Sequence, residues 1–227
     1  MDPNRKFWNE QQQKLQRAFT HPEDHQKAIG LFLDHHAMVH SAKMSQTGLW
    51  SYEDEILEGL TEADIRSIPE NEEHSIAWII WHLARIEDVT MNMLVAGSPQ
   101  LLNHENWLEK MKVTTHETGN ALDATGIADL SAAIDIDALR NYRMAVGRRT
   151  RDIVKKVQPG GFKQKVQPAR LEQVMAEGAV VQATHWLTDY WSKKTIAGLL
   201  LMPPTRHNFI HLNEAARLKQ KLRLEPA

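Results

Sequence analysis

Apolar residues recur through this chain at helical spacing and almost nowhere at strand spacing, and that pattern constrains its fold more than any other feature. In residues 76–96, Ile79, His82, Leu83, Ile86, Val89, Thr90 and Met93 fall on one stripe, the i, i+3, i+4 signature of an amphipathic helix. The acid-rich entry Glu70-Asn71-Glu72-Glu73-His74-Ser75 suits the positive end of a helix dipole. Gly97 stands where a left-handed residue would close the helix, and Pro99 blocks continuation. Comparable stripes run through residues 23–44 (Ala28, Leu31, Phe32, His35, Val39, Ala42) and 137–157 (Leu139, Tyr142, Val146, Thr150, Ile153, Val157). A fourth spans 204–222 (His207, Ile210, His211, Ala215, Leu218, Leu222). Pro203-Pro204 suits its start, because proline is tolerated at the first helical position. Residues 52–60 read as a short helix, and 170–201 as a helical stretch broken near Gly198. Residues 163–168 could form a small ribbon. With strands otherwise absent, the expectation is an all-α fold.

The pattern shows no internal repeat and no linker. Residues 1–24 read as a polar N-terminal extension, 25–222 as one helical domain and 223–227 as a C-terminal tail. The connection at 98–135 contains one short helix near 105–112 and otherwise reads as loop, and a connection this long is often a lid or a surface excursion.

Charge and cysteine usage remove several function classes. Lys and Arg total 27 against 29 Asp and Glu, a net charge of -2. Nucleic-acid binders usually carry a basic excess that neutralises phosphates. The local cluster Arg148-Arg149-Thr150-Arg151 reads as a solvated helix face, so no nucleic-acid partner is expected. No apolar run approaches the ~18 residues of a membrane span. The start Met1-Asp2-Pro3-Asn4-Arg5-Lys6 lacks the apolar core of a signal peptide, so a cytoplasmic protein without a membrane partner is expected. There is no cysteine, hence no disulfide, thiolate ligand or cysteine nucleophile. Any metal must be held by His, Asp or Glu.

Twelve histidines make that possibility worth pursuing. Three pairs have His-x-x-x-His spacing, which puts two imidazoles on one helix face a turn apart. His21 precedes Pro22, which disfavours the helical region for it, so His21/His25 is set aside. His36/His40 sits on a face that grades from apolar to polar and either approaches a metal or substrate site or forms a half-solvated flank. His207/His211 lies on the stripe that continues through Ala215, Leu218 and Leu222. Two buried imidazoles there need several partners, and one metal ion satisfies both lone pairs. His82, in the middle of an equally apolar stripe, is the third partner. Three neutral histidines suit Zn²⁺, Ni²⁺ or Fe²⁺ and leave positions open for water or substrate. The pair reads His207-Asn208-Phe209-Ile210-His211, without the glutamate of a His-Glu-x-x-His protease. His74, His104 and His116 read as exposed, His185 as core or flank, and Glu87 as solvated rather than ligating. Trp78, Trp81, Trp186 and Trp191 read as packing.

The stretch Leu57-Glu58-Gly59-Leu60-Thr61-Glu62-Ala63-Asp64, followed by Ser75-Ile76-Ala77-Trp78-Ile79-Ile80-Trp81-His82-Leu83-Ala84-Arg85-Ile86-Glu87-Asp88, resembles the second-helix signature of the DinB-like superfamily. His207-Asn208-Phe209-Ile210-His211 resembles that family's His-x-x-x-His on its fourth core helix. The resemblance covers residues 25–222. It implies a four-helix bundle connected up-down-down-up, with additional short helices and long loops here, a divalent metal near one end and a homodimer. It also implies relatives that are transferases or isomerases using low-molecular-weight thiols such as bacillithiol or mycothiol. The insertions at 98–135 and 158–169 depart from the compact family core.

Three functions fit these residues, with no catalytic side chain assigned. The leading one is metal-dependent transfer, with the ion activating an external small thiol toward a small-molecule substrate. The second is a hydrolase with metal-activated water, for which His36, His40 and Glu87 are candidate bases. The third is a bundle that binds a metal or small ligand without catalysis.

Overall fold

Four helices pack in a ring in the computed structural model, which describes residues 2–224. A first helix, α1 (Pro3–Ala18), packs on α2 (His25–Ala37). Next comes α3 (Ile76–Asp88), which continues without a break through wider π-type turns at Val89–Ala96. The third bundle helix is α4 (Ile136–Lys155). The last is α5 (Asn208–Leu222), entered through another π-type segment, Met202–His207. Contacts run from α2 to α4, α4 to α3, α3 to α5, and from the entry of α5 back to α2.

Side-chain pairs between the helices set their directions. Arg143 reaches the Val39 carbonyl and Arg151 that of Leu33, so α2 and α4 are antiparallel. Tyr142 meets Arg85 and Arg149 meets Asn92, so α3 and α4 are parallel. His74 meets Glu214 and His82 meets His207, so α3 and α5 are antiparallel. The connectivity is therefore up-down-down-up, as expected. Among the described residues there is no strand, and no helix is long and apolar enough to cross a membrane.

A parallel α3/α4 pair requires a long crossover, and buried polar groups of α3 hold that crossover down. Every residue of α3 is buried, including several whose polar groups need partners. Asp88 accepts the backbone N–H groups of Leu101 and Leu102 and the Tyr142 hydroxyl. Arg85 donates to Asp88, Gln100 and the His116 carbonyl. The crossover also contains a helix, Ala124–Ala133, capped by Asp123, where sequence indicated only loop. Its mixed apolar face is short, and its boundary cap is the clearest local signal.

Other elements depart from the sequence reading. Residues 1–24 are not merely a polar extension: Asp2 caps α1, and Trp8 and Leu15 are fully buried. Trp8 stacks between His35 and Phe209 at centroid distances of 4.0 and 3.9 Å. The helix expected over 23–44 ends at Ala37, and a new short helix, Ala42–Ser45, starts from the Ser41 cap. The turn between them brings His40 inward, with Ser51 donating to the His40 carbonyl. The stretch 170–201 is broken elsewhere than at Gly198, which lies inside Ile196–Leu200 under a Thr195 cap. The expected ribbon is a single bridge, Lys165 to Thr195. Gly97 closes α3 with φ +66°, as its position predicts. Of the tail 223–227, residues 225–227 lie outside the described residues, as does residue 1.

Candidate metal centre

His82, His207 and His211 come together from two antiparallel helices, 125 residues apart in the chain at their closest pair. Ring centroids are 4.9 Å apart for His82–His207 and for His82–His211, and 4.6 Å for His207–His211. The Nε2 atoms of His82 and His207 are 3.1 Å apart. The surroundings set how these rings are protonated. His82 Nδ1–H donates to the Thr118 carbonyl at 2.7 Å, so its Nε2 carries a lone pair. His211 Nδ1–H donates to Glu214 at 2.9 Å, which frees its Nε2 in the same way. Burial, reinforced by the neighbouring His211, pushes the His82 pKa down to about 3. Burial and the other two imidazoles push His207 well below its ordinary value. His82 and His211 thus each keep an Nε2 lone pair, the ligand nitrogens of all three rings lie within 4.8 Å of one another, and backbone and carboxylate hydrogen bonds of this kind orient metal-binding histidines; the His207 Nδ1 has no hydrogen-bond partner. The three could hold a divalent ion.

Glu214 and His74 belong to the same arrangement. Glu214 accepts from His211 with one oxygen and from His74 Nδ1–H at 2.8 Å with the other. Burial raises the Glu214 pKa, but the two imidazole hydrogen bonds outweigh it and hold the carboxyl at about 2. The carboxylate is therefore ionised. His74 stacks on one face of Trp78 at 3.8 Å and His82 on the other at 4.9 Å. His74 is half-buried rather than exposed. Its role was missed, and so was that of Glu214, although Glu214 lies three residues after His211, within reach on a helix.

A cavity of about 510 Å³ opens over the three histidines. Trp78, Trp186 and Trp191, read from sequence as packing, all line it, together with Leu122, Tyr190 and Met202. Gly119 stands against Trp78 with φ +88°, and a Cβ there would lie 3.1 Å from the indole nitrogen.

His36, His40 and Glu87 form a second group whose ligand atoms lie close enough to hold an ion. The half-solvated flank and the solvated Glu87 are corrected here: all three side chains are sealed from solvent. His36 Nε2–H and His40 Nε2–H donate to the two Glu87 oxygens at 2.8 and 2.9 Å. Asn208 adds a bond at 3.0 Å, and Arg143 orients its amide. Arg143 is itself paired with Glu53. The Glu87 oxygens are thus already occupied by three donors, and the imidazole Nδ1 atoms have no hydrogen-bond partner. The group therefore reads as a hydrogen-bonded clasp joining α2, α3 and α5 directly behind His207.

The remaining histidines stay apart from both groups. His21 is exposed beside Glu23, and His25 bonds the Val157 carbonyl. His104 and His116 are exposed, and His185 pairs with Asp189 at the surface.

A family model described as the DinB superfamily matches residues 48–188, a span that includes His82 and ends before His207 and His211. No curated protein matches the chain.

Proposed function

The chain belongs to the DinB superfamily, and from that premise we propose a metal-dependent transferase in which His82, His207 and His211 hold a divalent cation, Zn²⁺, Ni²⁺ or Fe²⁺, that activates an external low-molecular-weight thiol. The observation that carries this reading is the convergence of three imidazoles in the lining of a largely apolar cavity. A bound cation would supply Lewis acidity, lowering the pKa of a thiol brought to it. The residues of the chain supply the rest. Thr118 and Glu214 hold two imidazoles in the tautomer that presents Nε2. His74 lines the cavity, and because its Nδ1–H is committed to Glu214, its Nε2 is free to accept a proton. Trp78 and Leu122 present apolar surface in the same lining, which suits a weakly hydrated thiolate better than hydroxide. The chain lacks cysteine, consistent with a nucleophile that arrives with the co-substrate.

The His74–Glu214 pair also supports a second reading, hydrolysis, with His74 as the base. One experiment separates the two. Protein loaded with Zn²⁺ or Ni²⁺ is offered small thiols and a model electrophile, with water alone as control. Metal-dependent conjugation that His82→Ala abolishes is expected. Consumption of the electrophile that is independent of thiol favours hydrolysis, and no metal-dependent reaction with any thiol overturns the transfer reading.

A further inference from the structure

The cavity above the histidines carries information about what enters it. None of its lining residues is Asp, Glu, Lys or Arg. Its polar residues are four histidines, Asn120, Tyr190 and the tryptophans with their indole N–H groups, beside the apolar Leu122, Ile127 and Met202. Trp186 lines the same space yet is 56% exposed, one of the few large apolar side chains left so open. Among the described residues no ring stacks on it. Tyr190, one turn further along the same helix, has its face covered by the Lys194 ammonium at 4.1 Å, so that cation is already engaged.

A cationic ligand entering such a space loses its hydration without meeting a carboxylate from the walls. An aromatic one gains the ring contact that Trp186 offers and buries apolar surface against Leu122 and Met202. We infer that the molecule received by this pocket is an aromatic compound that carries no cationic group. Within the transfer reading, on which its role as the electrophile rests, the pocket then selects aromatic acceptors without a cationic group, and any ammonium part of the thiol stays outside it.

The test uses calorimetric titration with two probes of nearly the same shape, neutral 2-naphthol and the cation (2-naphthyl)methylammonium. Both are titrated into the protein as purified and after chelation of metal. The expected result is binding of 2-naphthol in both states, with the ammonium probe at least roughly tenfold weaker. Trp186→Ala should weaken 2-naphthol by about tenfold, the loss of one aromatic contact. Because Trp186 is largely exposed, this variant keeps the fold, which circular dichroism verifies. Leu122→Asp provides a second variant and should abolish 2-naphthol binding. Equal affinity for the two probes, or 2-naphthol binding unchanged in Trp186→Ala, overturns the inference. Failure of the metal reading shows separately, as protein that retains no ion while 2-naphthol still binds. Protein that holds its ion but does not take up 2-naphthol loses only the pocket assignment.

Discussion

Glu87 offers the sharpest perturbation, because it separates the buried clasp from the candidate metal centre. Its carboxylate accepts from His36, His40 and Asn208, with no exposure to solvent. Glu87→Ala leaves three buried donors without an acceptor and opens a cavity. Each unsatisfied donor costs about 1–3 kcal/mol. Relief from burying a charge offsets part of that sum, and breaking a buried pair typically nets ~3–5 kcal/mol. A loss of that size is a large fraction of the ~5–15 kcal/mol that stabilises a domain, so the variant is expected to survive only at low temperature. Glu87→Gln keeps one acceptor and replaces the other by a donor, with an expected cost of about 1–3 kcal/mol. Urea unfolding followed by far-UV circular dichroism measures the loss, and elemental analysis of folded protein counts bound metal. Glu87→Gln should be less stable yet bind as much metal as the wild type. His207→Ala should do the reverse and lose the metal. The reasoning fails if Glu87→Gln is within about 0.5 kcal/mol of wild type, or if it loses one of two metal ions, which would make the clasp a metal site.

Three further outcomes follow from the geometry. Glu214→Gln weakens the orientation of His211 and His74 and should reduce metal affinity by about 10–100-fold; calorimetric titration with Zn²⁺ giving a change under twofold would refute it. Trp8→Ala removes a fully buried ring stacked on Phe209 and His35 and should cost ~3–5 kcal/mol in chemical denaturation, whereas a loose N-terminal extension predicts almost no effect. Burial, with a smaller contribution from His36, lowers the His35 pKa to about 3. The unfolded imidazole protonates near its model value of 6.5, so between these values the unfolded state binds the extra proton. The stability contributed by this group is complete above that window and is lost as pH drops through it, by ~3 kcal/mol at about pH 4.5, in addition to contributions of the same sign from His40 and His82. His35→Asn should flatten this dependence, and an unchanged slope between pH 7 and 4.5 would show that His35 does not cause it.

Much of the architecture was legible before any coordinates. The stripe through Ile79, Leu83 and Ile86 reports helical period directly, and Gly97 marks its end through a backbone requirement that is local to one residue. The same logic placed His82, His207 and His211 on apolar faces, where a polar side chain must find a partner. His36, His40 and Glu87 were misjudged for a related reason. Their polarity suggested solvent, whereas each satisfies the others in the interior, and no one-dimensional pattern shows that pairing. The N-terminal helix was missed because Trp8, Leu15 and Ala18 are few among many polar residues, and their burial depends on the surface offered by Phe209 and His35.

By itself the sequence determined the helical class, the main helices and the three histidines, because periodicity, capping and His-x-x-x-His spacing act within a few turns of one helix. Tertiary structure alone decided which helices face one another. With that it decided that Thr118 and Glu214 hold two of the imidazoles, that His74 joins them through Glu214, and that no Asp, Glu, Lys or Arg lines the space above. These facts join residues up to 140 positions apart, and such partners are chosen by packing and by the need to satisfy buried polar groups, not by local propensity.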